Sequence, residues 1–290
     1  MFTGALIAIV TPFRNGKVDE RALGDLIEWQ IANGTSGIVP CGTTGESATL
    51  SHQEHHRVVE LTVEVVKRRV PVIAGTGSNC TEEAVSLTKH AKQAGADGAL
   101  LITPYYNKPT QEGLYRHYKV IAESVDLPQV LYNIPGRTGV NMLPATVARL
   151  CGLQSIVGIK EGSGSVLQAS EIASMCGDRM TVLAGDDALT LPIMAVGGKG
   201  VISVTSNVVP SEMAQMVKAF MSGRIDEARR IHFALSPLFT ALFYETNPIP
   251  VKTALGMMGK IDPELRLPLC AMATETKDRL TQSLKDAGLI

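Results

Sequence analysis

Residues 155–163 read SIVGIKEGS, and the segment Val157-Gly158-Ile159-Lys160 decides how the rest of the chain is read. Its apolar, glycine-bounded run has the length and β-branched content of a strand buried on both faces, yet it ends on a lysine. An ammonium at the rim of a core is costly, so the position demands a chemical reason. Seven other runs share the pattern: ALIAIV, GIVPCG, VPVIAG, GALLIT, QVLYNIP, MTVLAG and GVISVT, each followed by a longer amphipathic segment. Strands that alternate with helices make parallel βα units. Three helix-to-strand connections repeat GxxG: Gly34-Thr35-Ser36-Gly37, Gly95-Ala96-Asp97-Gly98 and Gly197-Gly198-Lys199-Gly200. The first glycine in each suits the left-handed end of a helix. Helices are expected over 21–32 and 53–67, the second opened by Ser51 as N-cap with Glu54 completing a capping box. Right-handed crossovers then close eight units into an α/β fold, the (β/α)8 TIM barrel. After the eighth strand and a helix over roughly 210–221, the chain holds helical stretches but no strand series. Residues 1–222 therefore read as the catalytic barrel and residues 223–290 as a C-terminal helical extension.

Composition sets outer limits. With 290 residues, 45% hydrophobic and 19% charged, the chain has ample core and the profile of a soluble globular protein. A formal net charge of −1 and the lack of any Lys/Arg block argue against nucleic-acid and polybasic membrane partners, and leave a small molecule. The N-terminal MFTGALIAIVTPF has no basic residue before its apolar run and no small-residue cleavage site after it, so it reads as a first strand. Five scattered cysteines with no CxxC pair point to reduced thiols in the cytoplasm.

Barrel enzymes carry their chemistry on the loops that follow the strands, and the unusual groups of this chain fall there. CGTTGES follows the second strand, TPYYN the fourth, YNIPGRTG the fifth, KEGS the sixth and GDD the seventh. In a barrel mouth, Lys160 loses solvation of its charged form, and a neutral amine is available to attack a carbonyl carbon, which is Schiff-base chemistry. The structural alternatives are a lysine paired with Glu161 or one that snorkels to the rim; adjacent strand residues face opposite sides, which disfavours the pair. Tyr132 ends the neighbouring strand, where its phenol either relays protons during carbinolamine dehydration or satisfies itself in the core. In CGTTGE, Gly42 and Gly45 free the backbone to approach an anion, with Thr43 and Thr44 adding hydroxyl and amide donors; the same residues also make a good turn. Arg137 is a fork suited to a second carboxylate, or else a surface arginine.

Competing chemistries find less. No GK[ST] or GxGxxG supports a nucleotide, so no cofactor is expected. His52-Gln53-Glu54-His55-His56 lacks the HExxH order, and although His52 and His56 share a helical face, the segment opens a helix beyond the catalytic loop; no metal is expected. Cys41 has no paired base and reads as a packed thiol rather than a nucleophile.

GTTGE, TPYYN, YNIPGRTG, GIKEGS, GDD and YETNPIPVK, in this order over nearly the whole chain, resemble the dihydrodipicolinate synthase family of the pyruvate-dependent Schiff-base class I aldolase superfamily. The superfamily level rests on GTTGE, the tyrosine of YNIP and the lysine of GIKE. The narrower level rests on the second threonine, TPYYN and the arginine of RTG. KEGSGS departs from the more usual KEATG or KEASG, a change that leaves the chemistry intact and loosens the loop. The resemblance implies a cytoplasmic lyase of diaminopimelate and lysine biosynthesis that condenses pyruvate, bound to Lys160, with L-aspartate 4-semialdehyde to give 4-hydroxy-tetrahydrodipicolinate. It implies Tyr132, Thr43 and Tyr106 as a proton relay, with Tyr106 supplied by a neighbouring subunit of a homotetramer built as a dimer of dimers. Thr44 and the loop amides would hold the pyruvate carboxylate, Gly185 and Ile202 would line the pocket, and Arg137 would meet the semialdehyde carboxylate. It further implies L-lysine as an allosteric feedback inhibitor at Ser47, Ala48, His52, His55, Asn79, Glu83 and Tyr105. Two other functions stay open at this level: a sister lyase acting on N-acetylneuraminate or a 2-keto-3-deoxy sugar acid, and a non-catalytic ligand-binding barrel.

Overall fold

A computed structural model describes residues 2–290. Eight parallel strands appear where the eight apolar runs lie: β1 (Gly4–Ala8), β2 (Gly37–Val39), β3 (Ile73–Gly75), β4 (Gly98–Ile102), β5 (Gln129–Asn133), β6 (Ile156–Glu161), β7 (Thr181–Ala184) and β8 (Gly200–Ser203). Each pairs with its sequence neighbour, β8 pairs with β1 in the register Gly4↔Gly200 to Ile7↔Ser203, and an isolated bridge Ile38↔Val72 joins β2 to the approach of β3. The sheet thus closes into a barrel. Helices alternate with the strands: α1 (Glu20–Ala32), α2 (His52–Val66), α3 (Thr81–Ala94), α4 (Gln111–Ser124), α5 (Pro144–Leu150), α6 (Val166–Cys176), α7 (Thr190–Ala195) and α8 (Pro210–Met221). The capping box of α2 forms as its sequence requires, with the Ser51 hydroxyl accepting from the Glu54 amide and the Glu54 carboxylate accepting from the Ser51 amide. Gly34, Gly95 and Gly197 hold φ values of 85°, 89° and 109°, the left-handed region that the GxxG connections require.

Strand periodicity sorts the barrel side chains into two cores. Ile7, Ile38, Ala74, Leu101, Leu131, Ile159 and Val182 face the helices, and Leu6, Val39, Ile73, Leu100, Val130, Leu183 and Ile202 fill the interior. Each such Val, Leu or Ile side chain contributes roughly 1.5–3 kcal/mol by leaving water. The chain beyond Gly223 forms α9 (Ile225–Ala241), α10 (Ile249–Met257) and α11 (Thr274–Asp286). Helix α9 packs along α8, and α11 packs on α9 and α10. An antiparallel hairpin, Phe13–Arg14 with Lys17–Val18, interrupts the loop after β1 and was not foreseen from sequence. Among the described residues no helix is long and apolar enough to cross a membrane.

Candidate functional site

Register decides where Lys160 points. Its Cα partners are Tyr132 on β5 and Leu183 on β7, both members of the interior core, while its neighbour Ile159 belongs to the outer one. Lys160 is therefore on the inner face, 4% exposed, with Nζ 4.3 Å from the centroid of the Tyr132 ring. Glu161 faces the other way. Its carboxylate accepts from the Ser163 amide at 2.7 Å and from Asn133 Nδ2 and Gln168 Nε2 at 3.2 Å each, and it makes no ion pair with Lys160 among the described residues. Tyr132 is 5% exposed, and its carbonyl accepts from the Thr103 amide at 2.9 Å, which pins β5 to the end of β4.

A cavity of about 530 Å³ opens beside this pair and brings together residues far apart in sequence. Thr43, Tyr132, Arg137 and Cys41 line it, as do Ser47, Ala48, His52, His55, Glu83 and Tyr105. Lys160, Thr44, Gly185 and Ile202 are not among its lining residues: Ile202 is fully buried in the barrel interior, and Gly185 sits so close to β6 that a Cβ would come within 2.9 Å of the Gly162 Cα. Asn79 and Tyr106 are not part of the wall either. Tyr106 is 90% exposed and holds φ at 71°, a conformation costly for an aromatic residue. Asn79 is tied to the same loop, its carbonyl accepting from Asn107 Nδ2 at 2.9 Å.

The loop after β2 has the makings of an anion site. The amides of Gly45 and Glu46 close turns onto the carbonyls of Gly42 and Thr43 at 3.1 Å, whereas those of Thr43 and Thr44 have no acceptor among the described residues. Thr44 is 2% exposed, and its Oγ1 accepts a hydrogen bond of 3.0 Å from Asn247 Nδ2. Arg137 sits in a one-turn helix, Pro135–Thr138, and its Nη2 donates to the Asn247 carbonyl at 2.9 Å. Beneath the loop, Glu46 and Lys252 form a fully buried ion pair of 2.6 Å, with Lys252 Nζ also donating to the Thr11 carbonyl. Arg266 donates its amide to Glu46 and its guanidinium to both oxygens of Glu54, at 2.8 and 2.5 Å, which holds the Glu54 carboxyl down at about 2. Sequence reasoning missed Asn247, Lys252 and Arg266. Only Lys252 carried a signal, since a lysine within the otherwise apolar helix Ile249–Met257 needs a partner.

The histidines behave as structural groups. His55 Nε2 bonds the Gly75 carbonyl at 2.8 Å, and burial pushes its ring down to about 4. His52 Nε2 meets Glu83 at 2.9 Å, and Glu83 also accepts from the Ser78 hydroxyl. His56 turns from His52 to stack on His90, ring centroids 3.7 Å apart. Burial raises the Cys41 thiol well above its ordinary value, in keeping with a packed rather than a nucleophilic sulfur.

The sequence has close relatives. It is 60% identical over the full length of both chains to the 4-hydroxy-tetrahydrodipicolinate synthase of Thermodesulfovibrio yellowstonii. Against that of Syntrophobacter fumaroxidans it is 63% identical, again across the whole of each chain. The fold matches the chloride-inhibited dihydrodipicolinate synthase of Acinetobacter baumannii complexed with pyruvate, with a TM-score of 0.98 and 47% identity over 100% of both chains. It also matches the enzyme of Cyanidioschyzon merolae with lysine bound, with a TM-score of 0.96 and 41% identity, covering 100% of this chain and 99% of that one. The model of the dihydrodipicolinate synthetase family spans residues 1–287, and with this fold, this loop series and these relatives the chain belongs to that family.

Proposed function

We propose that the chain is a lyase with the activity of its relatives, condensing pyruvate with L-aspartate 4-semialdehyde to 4-hydroxy-tetrahydrodipicolinate in diaminopimelate and lysine biosynthesis. The observation that carries the reading is Lys160 on the inner barrel face, in register with Tyr132, which lines the cavity. The Lys160 amine adds to the pyruvate carbonyl, and loss of water leaves an imine; loss of a methyl proton gives the enamine, whose carbon attacks the aldehyde. The substrate's own amine then displaces Lys160 by transimination, closing the ring and freeing the lysine. Tyr132 and Thr43 are the proton carriers within reach of the cavity, and Tyr106, turned outward on its own chain, serves the site of a neighbouring subunit in a homotetramer. The free amides of Thr43 and Thr44, together with the Thr44 hydroxyl, receive the pyruvate carboxylate. Gly185 and Ile202 shape the floor, and Arg137 receives the carboxylate of the semialdehyde. The five free cysteines fit a cytoplasmic setting.

The test is borohydride reduction in the presence of pyruvate followed by peptide mapping. The reduced adduct is expected on Lys160 and absent from Lys160→Ala; undiminished adduct on that variant would overturn the assignment. Ser47, Ala48, His52, His55, Glu83 and Tyr105, with Asn79 beside them, form the proposed site for L-lysine, in which Glu83 offers a carboxylate to an ammonium and Tyr105 a hydroxyl.

A further inference from the structure

Asn247 belongs to neither of the two loops that offer anion-binding groups, and it touches both. We infer that Asn247, delivered from the loop before α10, is a positioning residue for the first substrate: its side-chain amide sets the direction in which the Thr44 hydroxyl donates its proton. The inference rests on the reading of Thr44 as a ligand of the pyruvate carboxylate.

A hydroxyl owns one proton and two lone pairs. One lone pair of Thr44 Oγ1 is taken by Asn247 Nδ2 at 3.0 Å, and Oγ1 has no acceptor among the described residues. Its proton is thus held in reserve for something that arrives from outside. A carboxylate, which accepts and never donates, is the complementary group. The amide orientation matters. Turned over, Asn247 would accept from Thr44 and consume that proton. Asn247 is itself 4% exposed and lines the cavity, so the geometry is held by burial rather than by chance contact. Arg137 is reached differently, through the Asn247 backbone carbonyl, which every side-chain variant retains. The side chain therefore acts on the pyruvate site and the main chain on the guanidinium, and substitution separates the two.

The decisive variant is Asn247→Asp, nearly the same shape but with only acceptors to offer, which draws the Thr44 proton onto itself. The half-saturating pyruvate concentration for borohydride-trapped adduct is expected to rise about ten-fold, the scale of one hydrogen bond to a charged group. In Asn247→Ala the hydroxyl keeps its proton but loses its guide, and a rise of roughly two- to three-fold is expected. The KM for the semialdehyde should stay near the wild-type value in both. Because a new carboxylate also repels pyruvate, both substitutions are repeated in Thr44→Val. If Asn247 acts through Thr44, Asn247→Ala adds nothing to the effect of Thr44→Val, and Asn247→Asp adds only the part due to repulsion, which that background isolates. Full effects persisting in that background, or equal rises for both substrates, would overturn the inference while leaving Thr44 as the pyruvate ligand. A normal pyruvate response in Thr44→Val would instead overturn the Thr44 reading, and the inference with it. Asn247→Ala carries the test alone if Asn247→Asp fails to fold.

Discussion

Arg137 shows how a single residue's role is set by what its neighbours leave free. One guanidinium nitrogen is committed to the Asn247 carbonyl, which fixes the side chain at the cavity wall and leaves the remaining donors for a ligand. Arg137→Ala is expected to lower kcat/KM for the semialdehyde by roughly ten- to hundred-fold, the loss of a charge-assisted fork worth about 1.5–3 kcal/mol, and to leave pyruvate imine formation nearly normal. Steady-state kinetics with each substrate varied in turn, alongside adduct trapping, checks it. His55 makes a second prediction at this scale. Burial pulls it down to about 4, and His117, buried likewise, also sits at about 4. Both rings are neutral in the folded chain over a range where the unfolded chain binds protons, so their contribution is complete above pH ~6.5 and is lost as pH falls through about 4. Stability measured by urea should fall between those limits by an amount on the order of 3 kcal/mol per ring, and His55→Gln should flatten the slope. Lys160 and Tyr132 were legible in the sequence because strand periodicity places a side chain on one face or the other. Asn247 was not, because its partner Thr44 lies 203 residues away and no local pattern encodes a contact at that distance.

At the level of elements, α10 is tied to the loop after β2 by charge rather than by apolar contact alone. Phe13 is held between Lys252 and Arg266, each 4.2 Å from its ring centroid, and Lys252 and Glu46 share a pocket with no exposure on either side chain. Removing one member of such a pair strands the other, so Lys252→Met is expected to destabilise by about 3–5 kcal/mol, whereas Lys252→Met with Glu46→Gln should recover most of that loss. Equilibrium unfolding of the single and double variants gives the answer. The helices and strands themselves were readable: the predicted helix over 53–67 is α2 displaced by one residue at each end, and the GxxG glycines take the conformation foreseen. The one-turn helix carrying Arg137 and the hairpin after β1 escaped, since four or fewer residues carry no period to detect.

For the whole molecule, the cavity that holds Tyr132 and Arg137 runs without interruption to His52, Glu83 and Tyr105. A ligand on Glu83 must compete with His52 for the carboxylate, and it shares the cavity with Tyr105, whose chain neighbour Tyr106 is turned outward. L-lysine is expected to bind the wild-type enzyme at millimolar concentration or below and to inhibit partially without competing with pyruvate, and Glu83→Ala should abolish the binding; calorimetry on both proteins is the measurement. The barrel could be foreseen from eight runs of sequence, but the continuity of the two candidate sites could not, because it arises where loops from β2, β3, β4 and β5 meet in space.

The buried ion pair joins residues 206 positions apart, and that distance is also an interval of time. A ribosome adds about 5–20 residues per second, so Glu46 emerges roughly 10 to 40 s before Lys252. Throughout that interval the nascent loop carries a carboxylate that cannot be enclosed without its counterion, and β1 waits for more than half the chain before β8 completes the seam. The loop after β2 therefore matures only after translation has delivered a distant helix, and an unfinished chain on the ribosome has no settled form of the proposed carboxylate site.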